Sequence, residues 1–217
     1  MTSPEVVLVH GLFHQPEHLQ ALADALSRAG ATVQTPRLHR GSLEADTAAV
    51  QAVVDRCGSA PTIVGHSYGG AVITGVHGAE RLVFMAAFVP DVGESCAGLG
   101  GPEAPVNSWV RPHPDGGSFV PADAATDLFY ADCGPADAER AVALLVPQAS
   151  GHGRGIARHA AWKQVPSHYV VCTADRAMSP ELQHRLAARC TSSQVIDASH
   201  SPYISQPELL AGIIMDS

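Results

Sequence analysis

Lysine is almost missing from this chain. Of 217 residues only Lys163 is one, and arginine supplies the rest of 13 basic side chains set against 21 acidic ones. The net charge of −8 and the lack of any concentrated basic patch argue against nucleic acid as a partner. Long apolar runs are missing too. None approaches the roughly 20 residues that span a bilayer, so no membrane partner is expected. The five cysteines (Cys57, Cys96, Cys133, Cys172 and Cys190) are odd in number, irregularly spaced and without a C-x-x-C pair. That is not a disulfide framework, and it points to a reducing compartment. No cationic segment precedes the first apolar strand, so no signal peptide is expected and the cytoplasm is the expected location. The phosphate-cradling patterns G-x-x-x-x-G-K-[ST] and G-x-G-x-x-G are both lacking, which removes phosphate-loop and dinucleotide readings. No cofactor is expected.

What remains is a globular composition, 46% hydrophobic and 16% charged, at a length that suits one α/β domain over residues 1–217. Val6-Val7-Leu8-Val9 is apolar on both faces, as a buried parallel strand requires. Helical spacing follows over 15–30, a short strand at 32–35, a helix at 43–57, a strand from 61 and another at 81–86. This alternation predicts a mostly parallel sheet of about six strands, flanked by helices, with right-handed crossovers. The pattern breaks after Phe88. Residues 91–160 read as a cap inserted after the strand at 81–86, with a short strand near Trp109-Val110 and helices at 121–130 and 135–145. Regular order returns with a strand at 168–173, a helix opened by Ser179-Pro180-Glu181, a strand at 194–196 and a last helix over 206–215.

Gly65-His66-Ser67-Tyr68-Gly69 lies where a strand meets a helix, with Ser67 at the turn. A serine raised clear of the sheet there forces its backbone into a strained conformation. Side chains two before and two after it would meet neighbouring backbone, so glycine fits both places. Ser67 is therefore the candidate nucleophile. It needs a base, and in a parallel sheet sites form at the carboxyl ends of the strands. Of the 12 histidines, His200 lies just past the last strand. Asp175 follows an earlier strand and is the candidate acid that orients His200. Asp91 is an alternative, and Asp197 is too near His200 in sequence to face it easily. The oxyanion donors expected are the amides of Tyr68, directly after the nucleophile, and Leu12, in the loop after the first strand. His10, His14 and His18 have i, i+4, i+8 spacing. His10 ends a strand, however, and Pro16 restricts the backbone between the others, so no metal site is expected there. His152 and His159 lack an evident acidic partner and read as surface or cap residues.

These segments together resemble the α/β-hydrolase superfamily. Val7-Leu8-Val9-His10-Gly11-Leu12-Phe13-His14, the Ser67 elbow, Cys172-Thr173-Ala174-Asp175 with Pro180 and Gln183 downstream, and Ala198-Ser199-His200-Ser201-Pro202 are similar to the plant methylesterase and hydroxynitrile lyase branch and its bacterial relatives. The resemblance implies an α/β-hydrolase fold and a cofactor-free serine hydrolase acting on esters, with a helical cap shaping the pocket. It also implies Ser67 as nucleophile, Asp175 as acid, His200 as base, and Leu12 and Tyr68 as oxyanion hole. One departure matters: Ser201 stands where the cyanogenic lyases carry a lysine, which argues against cyanohydrin cleavage.

The expected function is carboxylesterase-like cleavage of a small, hydrophobic ester through an acyl-enzyme on Ser67. A lyase, lactonase or cyclase using the same triad is the alternative, and a non-catalytic small-molecule receptor a further one. Phe13, Phe88, Trp109, Leu128, Phe129 and Tyr130 are the candidate pocket residues. A small-molecule substrate is the expected partner, and a homodimer is left open.

Overall fold

A computed structural model of the protein describes residues 3–216; positions 1, 2 and 217 of the expected domain lie outside the described residues. The chain runs through β1 (Glu5–Val9), α1 (Gln20–Arg28), β2 (Thr32–Gln34), α2 (Leu43–Val54), β3 (Thr62–His66), α3 (Tyr68–Thr74) and β4 (Arg81–Met85). An excursion then carries α4 (Cys96–Gly100), the two-residue strands β5 (Arg111–Pro112) and β6 (Ser118–Phe119), α5 (Ala122–Phe129) and α6 (Pro135–Ala143). The sheet is regained by β7 (Ser167–Cys172), followed by α7 (Pro180–Ala187), β8 (Ser192–Ile196), α8 (Pro202–Ser205) and α9 (Pro207–Asp216).

Six strands form one parallel sheet in the order β2-β1-β3-β4-β7-β8. Successive side chains of a strand point to opposite faces, and both faces here are covered. Val7, Val9, Ile63, Leu82 and Phe84 pack with Val50, Val54, Ile73 and Leu186 of α2, α3 and α7. Val6, Leu8, Val64 and Val83 pack with Leu22 and Leu26 of α1 and Leu210 and Ile214 of α9. Each such buried aliphatic side chain contributes on the order of 1.5–3 kcal/mol relative to exposure. The excursion has its own cluster, in which Leu128, Phe129 and Tyr130 join Val120, Ala138 and Ala141. No helix among the described residues is long and apolar enough to cross a membrane.

The expected elements form, with local differences. The first helix opens as a 3-10 turn over Pro16–Leu19, with Pro16 in its first position. The short strand expected near Trp109-Val110 forms slightly later, at Arg111–Pro112, with Trp109 closing a 3-10 turn instead. The short helices α4 and α8 add to the expected set. Ser95 caps α4 by accepting from the Gly98 amide, a signal masked by the glycines that follow.

After β1 the chain steps outward to β2 and then returns across β1 to β3 on the other side. The loops leaving β1 and β3 therefore diverge and leave a crevice at the carboxyl ends of those strands. Helix α3 is pressed against that end of the sheet. A Cβ on Gly69 would lie 2.4 Å from the Val9 carbonyl oxygen and 2.8 Å from that of His10. A Cβ on Gly65 would lie 2.8 Å from the Gly69 backbone. Both glycines are required by close approach, as the spacing predicts. Gly212, exposed in the middle of α9, differs: a Cβ there would meet nothing within 4 Å. Gly69→Ala is expected to lower the unfolding free energy by about 1–3 kcal/mol through overpacking, while Gly212→Ala raises it by about 0.5–1 kcal/mol. Urea denaturation of both variants checks this; a Gly69→Ala protein as stable as wild type would contradict the packing described.

Candidate active site

Ser67 sits between the end of β3 and the start of α3 with φ 53° and ψ −120°. A non-glycine residue held there is strained, at a cost of order 1–3 kcal/mol. Its backbone is fixed on three sides. The Ser67 amide donates to the Met85 carbonyl at 3.3 Å, and the Ser67 carbonyl accepts from Phe88 and Gly70, each at 3.1 Å. Gly11 follows β1, where a glycine suggests a turn that needs its conformational freedom, but it serves close approach. Its φ is not positive; instead a Cβ there would come within 2.9 Å of the Ser67 Cβ. Glycine lets the loop after β1 pass beside the serine.

His200 and Asp175 meet on loops that leave β8 and β7. The His200 Nδ1 donates to Asp175 Oδ2 at 2.7 Å, and both side chains are buried. The same carboxylate accepts from the Gln183 amide at 2.8 Å and from the backbone amides of Ala177 and Met178 at 2.8 and 2.9 Å. Four donors on one buried carboxylate compensate its desolvation and fix its orientation. The ring nitrogen of His200 that does not face Asp175 is left available. Asp91 and Asp197 lie elsewhere: Asp91 accepts from Lys163 at 2.5 Å, and Asp197 from the Thr173 hydroxyl at 3.3 Å.

Ser67, His200, Leu12 and Tyr68 all line one cavity of about 520 Å³. Among the described residues no hydrogen bond joins the Ser67 and His200 side chains; such bonds are often long until substrate arrives. Tyr68 is the first residue of α3, so its amide has no acceptor within the helix. The Leu12 amide likewise finds no acceptor among the described residues. Of the expected pocket residues, Phe13, Phe88 and Phe129 line the cavity. Trp109 is 43% exposed, and Leu128 and Tyr130 are buried in the core of the excursion, away from the cavity wall. The side chains of Glu103, Arg154 and Arg185 also border it, so the surroundings are less neutral than the aromatic residues suggest.

Several supporting residues escape a reading of the sequence alone. Gln183 is fully buried and also accepts from the Cys172 amide at 2.9 Å, so it ties β7 to the Asp175 loop. The signal for it is the Ser179 cap, which sets the phase of α7 and turns position 183 inward. His66 donates from Nε2 to the His200 carbonyl at 2.8 Å. The Ser199 hydroxyl donates to Asp132 and lies 3.1 Å from the Phe129 carbonyl, which fastens the His200 loop to the end of α5. Ser201 is buried against the Tyr203 hydroxyl at 2.9 Å.

The three histidines in helical spacing are structural and do not converge on a metal. His10 pairs with the Gly11 carbonyl and the Leu38 amide, and His18 with the Gln15 amide and the Ala141 carbonyl. His14 donates to the Leu12 carbonyl at 2.7 Å, leaving Nε2 to accept from the Tyr130 hydroxyl at 2.9 Å. It thereby braces the loop that carries the Leu12 amide. His152, read as a surface or cap residue without an acidic partner, lies within the excursion but is 3% exposed, with Asp46 3.6 Å away.

The sequence model of the Alpha/beta hydrolase family matches residues 6–213, and the chain belongs to that family. The alpha/beta hydrolase nvfD of Aspergillus novofumigatus is 28% identical over 243 aligned positions, covering 100% of this chain and 97% of that one. Two solved structures share the fold. A pyrethroid hydrolase from Sphingobium faniae superposes with a TM-score of 0.83 at 20% identity, over 99% of this chain and 97% of that one. The methylesterase MES16 from Arabidopsis does so with a TM-score of 0.81 at 18% identity, over 98% of both. The protein is thus an α/β hydrolase with esterase-like relatives.

Burial imposes a pH dependence on this layer of histidines. It drives His10 down to about 3 and holds His14 and His66 well below the ordinary imidazole range. The unfolded chain protonates each near pH ~6.5, whereas the folded chain does not. The stability these groups support is therefore complete above pH ~6.5 and is lost as the pH falls toward their folded values. Each contributes a slope of up to about 1.4 kcal/mol per pH unit. Urea unfolding between about pH 7 and pH 5 should show uptake of more than one proton on unfolding; a flat profile would contradict it.

Proposed function

We propose that the protein is a serine carboxylesterase acting through an acyl-enzyme on Ser67. The observation that carries this is the single cavity lined by the strained Ser67, the Asp175-bound His200, and Leu12 and Tyr68 with their two unpaired amides. His200 takes the Ser67 proton as Oγ attacks the acyl carbon. The Leu12 and Tyr68 amides receive the oxyanion. His200 then protonates the leaving alcohol and activates the water that releases the acid. Asp175 stays ionised, holding the imidazole with Nδ1 protonated so that Nε2 serves as the base.

Residues 91–160 act as the cap of this site. Pocket residues Val106 and Phe129 come from this segment and line the cavity together with Phe13, Phe88, Met178 and Leu182. Those walls favour a small ester with a hydrophobic acyl or alcohol group. The names of the relatives, a pyrethroid hydrolase and a methylesterase, are consistent with ester substrates of that kind. The burial of Ser201 against Tyr203 supplies no cation for a leaving cyanide, which supports hydrolysis over cyanohydrin cleavage.

A panel of short and medium acyl esters tests the proposal. Ser67→Ala should lower kcat by about 10⁴–10⁶, and Asp175→Asn by about 10⁴ through the wrong histidine tautomer. Undiminished ester turnover by Ser67→Ala would overturn the assignment.

A further inference from the structure

Behind the elbow, on the far side of Tyr68 from its amide, lies a second cluster that the proposed reaction does not use. His39 belongs to the loop between β2 and α2, Asp46 to the first turn of α2, and His152 to a 3-10 turn late in the excursion. The side chains of Asp46 and His152 are 0% and 1% exposed. His39 has φ 70°, a left-handed conformation uncommon outside glycine.

The outward nitrogens define the tautomers. His39 Nε2 lies 2.8 Å from the His14 carbonyl, and His152 Nδ1 lies 3.2 Å from the Ala149 carbonyl. A carbonyl only accepts, so both of these nitrogens carry the proton. In the neutral rings the other nitrogens, His39 Nδ1 and His152 Nε2, then present bare lone pairs. Both are buried and lack a hydrogen-bond partner. One ligand atom from each of His39, Asp46 and His152 falls within 4.8 Å of the other two, and His152 Nε2 lies 3.6 Å from Asp46 Oδ2. Two lone pairs and an anion converging in a buried space repel one another unless an electrophile lies between them. Burial also favours the neutral, ligating form of His39, holding its imidazole below the ordinary range.

We propose that His39 Nδ1, His152 Nε2 and the Asp46 carboxylate form a binding site for a divalent transition-metal ion of the zinc class. Two imidazoles and a carboxylate are a donor set such ions take. Metal–ligand bonds of about 2.0–2.2 Å put tetrahedral ligands about 3.4 Å apart, close to the separation of His152 and Asp46. The carbonyls of His14 and Ala149 are the outer partners that orient metal-binding histidines. Asp46 is further fixed by the Arg40 amide at 2.7 Å and the Tyr68 hydroxyl at 2.9 Å. The ion would staple the excursion to α2. Because Gly151, Gly153 and Arg154 border the cavity and Tyr68 begins the elbow helix, it would steady the cavity wall from behind without entering it. Sequence spacing hides this site, since its three ligands come from distant segments.

The test uses the whole protein stripped with a chelator and titrated with Zn²⁺ by calorimetry and thermal unfolding. Cobalt(II) absorption serves as a geometry probe. Two variants accompany it: His39→Asn, which keeps a residue tolerant of the left-handed backbone, and His152→Gln, each checked for native circular dichroism. The expected result is one zinc per wild-type chain, a raised Tm, visible bands of a low-coordinate cobalt site, and loss of all three in both variants. No saturable binding by the wild type would overturn the proposal. So would equal binding by either variant, which would place the metal on other histidines.

Discussion

The close approach of α3 to the ends of β1 and β3 is the constraint from which the rest of the site follows. Gly65, Gly69 and Gly70 let the helix backbone rest against the carbonyls of Val9, His10 and Phe88 at distances no side chain would permit. That contact pins Ser67 in a conformation serine rarely adopts. It also leaves the first amide of α3 without an internal acceptor. The same absence of a side chain at Gly11 brings the β1 loop alongside, so the Leu12 amide and the serine share one cavity. The strain at Ser67 is sustained because the central strands β1, β3 and β4 around it are buried on both faces.

Histidine fills the space around that contact. His10, His14 and His18 each engage both ring nitrogens, chiefly with backbone groups of loops that no sheet ladder satisfies. A neutral imidazole suits this task because it both donates and accepts, and burial keeps it neutral. His39 and His152 differ in leaving one nitrogen each uncommitted beside Asp46. An unpartnered nitrogen alone does not mark a ligand, since His66 Nδ1 is unpartnered too; what sets His39 and His152 apart is that they cluster with a carboxylate, and only atomic positions reveal it.

The strands and helices around the sheet are legible from hydrophobic period, and the order of Ser67, Asp175 and His200 from their places after successive strands. Asp91 also follows a strand, and Asp175 is preferred because the order Ser67, Asp175, His200 resembles that of the α/β hydrolases; the hydrogen bond to His200 accords with that. The excursion is harder to read. Its helices α5 and α6 announce themselves by proline starts and apolar spacing, but which of their aromatic residues face the cavity depends on how they dock. Leu128 and Tyr130 turn into the excursion's own core while their neighbour Phe129 meets His200, with ring centroids 5.7 Å apart. Gln183 is within reach of a local signal, the Ser179 cap, but His66 and the His39–Asp46–His152 cluster stay hidden because each acts across long sequence separations and neither follows a local pattern.

The central claim is that Ser67 is a nucleophile activated by His200. Incubation with an organophosphonate carrying a good leaving group, followed by intact mass and peptide mapping, tests it most directly. The account predicts a single phosphonyl adduct on Ser67, formed much more slowly in His200→Ala. An adduct confined to another residue, or equal labelling of Ser67 without His200, would contradict it.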